Sequence, residues 1–162
     1  MRTRLLSLAL CVAAAAPAQA DVVTDWTGEL LESVRVLRPA PPVASRQMAL
    51  TTTAMFDAVN GVVGAYRPYN VSGSGDPEAD AAAAAATAAH DVLAYLYPAR
   101  RAHFASRLAS DLAAIPDGPA KSLGLAWGGA VAAQAMAARD GDGAATALSY
   151  EPPEGAGWWA PT

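Results

Sequence analysis

Beyond residue 20, apolar residues recur every three or four positions, which is the spacing of helices that bury one face. The first such segment carries Trp26, Leu30 and Val34 on one side, with acidic residues on the other. Its acidic residues come early and its arginines late, as the helix dipole favours. Prolines at positions 39, 41 and 42 follow. The pattern therefore predicts a first helix that ends near Leu37, where the prolines interrupt it.

A second helix is predicted near residues 43–63. Its apolar stripe is broad enough to suggest contacts on more than one side, so we expect this helix to be central in the fold. The stripe consists of Met48, Met55, Val59, Val62 and Tyr66, and is widened by Leu50, Ala54 and Ala58. Residues 64–75 read as a loop because they end in alternating serine and glycine.

Three more helices are predicted downstream of this loop. Asp76 and Pro77 offer a cap and a first position for the third helix, which contains the alanine run 81–86 and ends where Pro98 breaks it. The fourth is expected from Pro98 to about residue 114. A turn at 115–119 follows, with Asp117 as N-cap of a fifth helix that ends near Arg139.

The fifth helix carries Leu123, Trp127, Val131 and Gln134 on one side, and Gly124, Gly128 and Ala132 form a groove of small residues on the other. We find no strand pattern and no internal repeat. The predicted fold class is therefore all-α, a bundle of about five helices over residues 21–139.

Both ends of the chain differ from this helical middle. Residues 1–20 have the form of a cleaved signal peptide: Arg2 and Arg4, an uncharged apolar run over 5–16, and small residues at 18 and 20. The run is too short to span a bilayer. Residues 140–162 are an irregular tail that contains adjacent tryptophans, Trp158 and Trp159, and we expect it to be the start of a missing catalytic half.

Cleavage after residue 20 changes the composition that bears on function. Cys11 is the only cysteine, so the mature chain offers neither a disulfide nor a thiolate metal ligand. Its nine basic and fifteen acidic residues give a formal charge of −6. This balance argues against nucleic-acid partners, which require a basic surface, and against binding to an anionic membrane. We expect an exported, water-soluble chain, periplasmic or secreted.

Two histidines are candidates for a metal site. His90 and His103 lie on consecutive helices with Pro98 between them, so an antiparallel turn would bring them close. Asp91 and Asp111 are the available further ligands, but neither has a convincing position. We interpret the two histidines as residues of the core or its boundary.

The segment 140–143, Asp-Gly-Asp-Gly, is a candidate for the start of a calcium-binding loop, and Glu151 stands at the twelfth position of that loop. However, Ala144 and Ala145 occupy the positions where an oxygen ligand and a glycine belong. We therefore predict a flexible turn.

Asp57 and Asn60 are polar residues on a helix that otherwise looks buried. A buried carboxylate needs hydrogen bonds or an ion pair, which Arg46 or Arg67 would supply. We favour a structural network over a carboxylate poised for acid–base chemistry, because no catalytic partner is identifiable. The sequence assigns no catalytic, cofactor-binding or metal-binding residue.

Four strings in the mature chain, in this order and spacing, resemble the N-terminal helical region of exported bacterial vanadium-dependent haloperoxidase-like proteins. These belong to the superfamily shared with type-2 phosphatidic-acid phosphatases. The strings are DVVTDW at 21–26, AMFDAVN at 54–60 with YRPY at 66–69, AAIPDGPAK at 113–121, and RDGDG at 139–143 with GWWAPT at 157–162.

The resemblance implies an active site that binds vanadate or phosphate, built in a C-terminal half. Its signatures are a lysine seven residues before Arg-Pro, then Pro-Ser-Gly-His, then Ser-Arg with a histidine six residues after the arginine. None of these is present here: Lys121, for example, is followed seven residues later by Gly128. Thr52 also stands where we expect relatives to carry histidine.

The function we expect is therefore the N-terminal helical part of an exported haloperoxidase-like or acid-phosphatase-like protein. It lacks the vanadate- or phosphate-binding half, which is its expected partner, and is inactive alone. The alternative is a complete, non-catalytic exported helical module that binds a partner through its tail or an apolar groove.

Overall fold

The computed structural model describes residues 21–147 and the single positions 149, 151, 153, 155 and 157. The predicted signal peptide and the tryptophan pair at 158 and 159 lie outside these residues. Within them the fold is all-α, as predicted, with five helices and no strand. The helices are α1 (Val22–Leu37), α2 (Pro41–Val63), α3 (Ala81–Leu96), α4 (Arg101–Ala113) and α5 (Pro119–Ala137).

Helix α3 lies at the centre of the bundle and contacts each of the other helices. α2 has the expected contacts on more than one side, with α1, α3 and α5, but α3 is the more central helix. The alanine run explains the difference, because its short side chains let neighbouring backbones approach on every side of α3. Residues Ala83 to Ala89 of α3 are all buried.

The closest approach is between α3 and α5, through the small-residue groove predicted on α5. An added Cβ on Gly124 would collide with the carbonyl oxygen of Asp80, and one on Gly128 with that of Ala84. These glycines are therefore required by packing, because no larger residue fits between the two backbones.

Helix α3 contributes residues to two hydrophobic clusters. One joins α2, α3 and α5 around Leu50, Val92 and Val131. The other joins α1, α3 and α4 around Trp26, Leu93 and Phe104, each fully buried, and also includes Met55 of α2. Both α2 and α3 therefore contribute to both clusters.

Several predicted boundaries were wrong at helix starts. α3 begins four residues after Pro77, because the carboxylate of Asp80 accepts a hydrogen bond from the Ala83 amide and caps the helix. Asp76 instead accepts from the Glu78 amide in a separate turn. Pro98 begins a short 3-10 turn that precedes α4, rather than α4 itself.

The N-cap of α5 is Gly118, not Asp117. The Asp117 carboxylate accepts a hydrogen bond from the Lys121 ammonium at 2.9 Å, and this bond lowers the pKa of Asp117. The same ammonium donates to the carbonyls of Leu112 and Ile115. Lys121 thus caps the C-terminal end of α4, where a cation interacts favourably with the helix dipole.

The stripe predicted on α2 is only partly buried. Leu50, Ala54 and Ala58 lie in the core, as does Met55, but Met48 is exposed and Tyr66 is largely exposed. The buried side of α2 is therefore the one that faces α3, and part of the predicted stripe is exposed.

Candidate functional site

The Asp57 carboxylate is buried and holds the loop that follows α2. Its two oxygens accept hydrogen bonds from the backbone amides of Tyr69 and Asn70, at 2.7 and 2.8 Å. The prediction of a structural, hydrogen-bonded Asp57 agrees with this geometry, but the predicted partners, Arg46 and Arg67, were wrong. Two backbone donors satisfy a buried carboxylate as well as an arginine does.

Asn60 fixes the same loop one helical turn later. Its side-chain amide donates to the carbonyl of Tyr66, and its carbonyl oxygen accepts from the Tyr66 amide, both at 2.7 Å. Together, Asp57 and Asn60 bind the segment 66–70 back onto the end of α2. Each polar atom of the two side chains has a backbone hydrogen-bond partner in this loop.

The two histidines do not meet. His90 Nδ1 lies 2.7 Å from the carboxylate of its neighbour Asp91, and His103 Nε2 lies 2.6 Å from Glu29 of α1. Among the described residues, no three acids, histidines or cysteines are placed to hold a metal ion. The candidate metal ligands therefore do not converge: His90 pairs with Asp91, His103 with Glu29, and Asp111 with Arg107.

Asp111 belongs to a polar layer between α1 and α4 that the sequence did not reveal. Arg107 of α4 binds Asp111 and also reaches Asp25 of α1 at 2.6 Å. Burial opposes the charge of Arg107, but the hydrogen bonds and charges of Asp25 and Asp111 outweigh it and raise the pKa of the guanidinium. About two turns away, in the 3-10 turn before α4, Arg100 donates to Ser33 at 2.9 Å.

The Asp-Gly-Asp-Gly turn is held by an arginine. Arg46 of α2 donates to Asp142 at 3.0 Å and to the backbone carbonyl of Arg139, also at 3.0 Å. These contacts line a cleft of about 410 Å³, of mixed polar and apolar character, at this end of the bundle. The Asp142 carboxylate, one of the candidate calcium ligands, thus serves as the partner of Arg46.

The strongest candidate for an interaction site is an apolar groove at the C-terminal half of α2. It has a volume of about 260 Å³ and its walls come from α2, the start of α1 and the loop after α2. The Phe56 and Tyr66 rings lie 6.3 Å apart at its edge. The groove is lined by Val23, Thr52, Met55, Phe56, Val59, Asn60, Val63, Ala65 and Tyr66.

No family model, curated protein or solved structure matches this chain. The described helices include none that is both long enough and apolar enough to cross a membrane.

Neither the position of the apolar groove nor the polar layer between α1 and α4 was predicted from the sequence, for different reasons. The groove required knowledge of which side of α2 faces α3, which periodicity alone does not give. The polar layer had a weak signal in the sequence, since Asp25 and Glu29 are one turn apart on α1, as are His103 and Arg107 on α4. Matching spacings on two helices identify a contact only when the helices are known to be neighbours.

Proposed function

We propose that this chain is the helical, non-catalytic part of an exported haloperoxidase-like or acid-phosphatase-like protein, whose oxyanion-binding residues belong to a separate catalytic half. The observation that supports this most is the position of the four strings. Each contains residues that form contacts between elements of the bundle or at their ends. A scaffold for a catalytic half requires such contacts.

In the first string, Asp21 caps α1 and Trp26 enters the core. In the second, Asp57 and Asn60 bind the loop that contains Tyr66 to Tyr69. The resemblance thus falls on residues with structural roles, which is compatible with a shared helical scaffold.

Residues of the third and fourth strings also form contacts between helices. Lys121 caps α4, and the Arg139 carbonyl and Asp142 carboxylate hold Arg46 of α2. The Arg46 contacts join residues more than 90 positions apart in sequence, whereas Lys121 connects the beginning of α5 to the end of α4, nine positions earlier.

The cations of the bundle support a non-catalytic role. Vanadate and phosphate carry several negative charges, so a site for them needs arginine or lysine donors that converge on one point. Here the less exposed cations are already held: Arg46 by Asp142, Arg100 by Glu29, and Arg107 by Asp25 and Asp111. If these side chains bound an oxyanion, the ion pairs that they form within the bundle would be lost.

Activity assays on the purified chain test the catalytic part of this proposal. We expect no bromide oxidation with vanadate and hydrogen peroxide, and no hydrolysis of p-nitrophenyl phosphate, above a buffer blank. Turnover by the chain alone, abolished by a His90→Ala or His103→Ala substitution, would overturn it. The downstream reading frame supplies the second test, since we expect Pro-Ser-Gly-His within a few hundred codons.

Export is tested by the N-terminus of the mature protein. We expect the first residues to be Asp-Val-Val-Thr-Asp after expression in a bacterium with an intact secretion pathway, and the protein to be recovered outside the cytoplasm. A chain recovered in the cytoplasm with residues 1–20 still attached would contradict export.

The alternative is a self-sufficient exported module that binds a partner, and the apolar groove is the observation that favours it. Thermal unfolding of the isolated chain separates the two proposals. A cooperative transition whose midpoint is the same with and without the catalytic half favours the module. A midpoint that rises when the catalytic half is co-purified with the chain favours the scaffold, because a partner that binds the folded state stabilises it.

A further inference from the structure

The cleft at the start of α2 contains apolar side chains that the described residues leave exposed. Val43 of α2 and Tyr95 of α3 line the cleft, and are 48 % and 57 % exposed. The rest of the lining is Arg46 and the segment 139–146, which Arg46 holds through hydrogen bonds. The cleft therefore lies between the bundle and the stretch of chain that leaves it after α5.

The chemistry of the cleft suits an aromatic group. Its volume of about 410 Å³ is in the range of sites that hold small organic molecules. Two guanidinium groups, of Arg46 and Arg139, line it together with the phenol ring of Tyr95. A guanidinium is attracted to the face of an aromatic ring, and most strongly to the indole of tryptophan.

The chain itself supplies two indoles close to this cleft. We call residues 148–162 the distal tail; it contains Trp158 and Trp159, twelve and thirteen positions beyond Thr146 of the cleft wall. Twelve residues reach up to about 40 Å when extended, so a single reversal of the chain brings the tryptophans back. Gly155 and Gly157 have φ values of 125° and 94°, which allow such a reversal.

Charge orients the distal tail toward the cleft. The tail contains the carboxylates of Glu151 and Glu154 and no basic residue. Arg139 in the cleft is a cation for them, although Asp140 beside it reduces the attraction. We therefore expect the indole contact to contribute most of the affinity, because a tryptophan has a large apolar surface to cover.

We propose that the distal tail folds back onto the bundle that carries it and places Trp158 or Trp159 in the cleft, against Val43 and Tyr95. The occupant is this chain, because a tethered group has an effective concentration on the order of millimolar, well above that of most free partners. This inference does not depend on the proposed function, since a tryptophan can occupy the cleft whether or not a catalytic half follows.

The apolar groove on α2 is the other described surface with room for an indole. Val63 in that groove is twenty positions from Val43 in the cleft, which is about 30 Å along the helix. The distal tail begins beside the cleft, so it would have to be nearly fully extended to reach the groove. Such extension costs conformational entropy, and the cleft is therefore the favoured site.

Fluorine NMR of the purified chain, labelled with fluorotryptophan, tests the proposal. The chain contains four tryptophans, and the variants Trp158→Phe and Trp159→Phe assign the two tail resonances. The difference in chemical shift between H₂O and D₂O reports how exposed each indole is. We expect at least one tail indole to have a small difference, like that of the buried Trp26, and to lose this protection in concentrated urea.

Two valines of α2 provide the variant and its matched control. Val43 lines the cleft and Val63 the apolar groove, and they are 48 % and 61 % exposed. Val43→Glu should expose the tail indole as urea does, because it places a carboxylate against the ring and near the acidic tail. Val63→Glu should leave the indole protected. Glutamate at position 43 lies in the first turn of α2, where the helix dipole favours it, and circular dichroism checks the fold of both variants.

Four outcomes would overturn the proposal. The first is that both tail indoles are as exposed in the native chain as in urea. The second is protection that Val63→Glu removes and Val43→Glu does not, which places the indole in the apolar groove. The third is protection that neither substitution changes. The fourth is protection that disappears on dilution, which indicates that a second copy covers the tail. None of these outcomes alters the activity and secretion tests of the proposed function.

Discussion

The indole nitrogen of Trp26 donates a hydrogen bond to the carboxylate of Asp111, at 2.9 Å, and so connects α1 to α4 across 85 positions of sequence. Trp26 is fully buried, and its ring packs against Phe104 with 6.3 Å between centroids. Asp111 is held in turn by Arg107, which also binds Asp25 of α1. One tryptophan thus joins the hydrophobic core to the polar layer between the two helices.

We predict that Trp26→Phe lowers the free energy of unfolding by about 2–4 kcal/mol. The substitution removes the donor to Asp111 and leaves a cavity where the larger ring was. Urea denaturation followed by circular dichroism measures the change. Tyr95→Phe is the control, because Tyr95 lies on the surface of α3 with 57 % of its area exposed; it should change stability by less than about 0.5 kcal/mol. Equal effects of the two substitutions would contradict the role of Trp26.

Asp57 gives a second prediction. In Asp57→Asn, one carboxylate oxygen becomes an NH₂ group that faces a backbone amide, so one donor is left without an acceptor. We expect a loss of about 2–4 kcal/mol in unfolding free energy, together with faster hydrogen exchange at the amides of Tyr69 and Asn70.

Asp76→Asn is the matched control for Asp57. Asp76 also accepts a backbone amide, from Glu78, but does so on the surface, where asparagine makes the same turn. We expect its effect to be within about 0.5 kcal/mol. Unchanged protection of the Tyr69 and Asn70 amides in Asp57→Asn would show that the carboxylate does not hold the loop.

The contrast between Asp57 and the helices shows what the sequence predicts and what it does not. Helices follow from local spacing, so all five were predicted near their observed positions. The partners of Asp57 come from a loop twelve and thirteen residues later, and no local rule selects backbone amides over Arg46 or Arg67. Burial can be inferred from a pattern, but the identity of a distant partner requires the fold.

Helix starts illustrate the same limit on a smaller scale. Asp76 and Asp80 both resemble N-caps in sequence, and Asp76 even precedes a proline. The start at Asp80 is supported by a contact from elsewhere, since the Asp80 amide donates to the carbonyl of Ala120 near the beginning of α5. The choice between two good local caps is thus made by tertiary structure.

Neighbouring glycines on α5 give a third prediction. Gly128 faces α3, where an added Cβ would collide with the carbonyl of Ala84, whereas at Gly129 the nearest atom is a carboxylate oxygen of Asp91 at 3.7 Å. We expect Gly128→Ala to destabilise the fold by at least about 2 kcal/mol through overpacking. Gly129→Ala should stabilise it by up to about 1 kcal/mol, because alanine favours the helix. Thermal unfolding of both variants measures the difference, and the same sign for both would contradict the packing of α5 on α3.

The last prediction concerns the pH dependence of the contact between Arg46 and Asp142. The hydrogen bond from the Ala144 amide, and then the bond and charge of Arg46, lower the pKa of Asp142 from its ordinary value of 3.8. A carboxyl group whose pKa is lowered in the folded state contributes its stabilisation above the unfolded value and loses it as the pH falls through the folded value. We therefore expect the contribution of Asp142 to be complete at pH 7 and to disappear at pH values below 3.8.

A double-mutant cycle of Asp142→Asn and Arg46→Met isolates this contact from the rest of the acid titration. Unfolding free energies at pH 7 should give a favourable coupling between the two side chains, and the same cycle at about pH 2 should give none, because the protonated carboxyl no longer attracts the guanidinium. Arg46→Met alone also removes the donor to the Arg139 carbonyl, an effect that persists at low pH and cancels in the cycle. A coupling of equal size at both pH values would show that the two residues interact through packing, and not through the charge of Asp142.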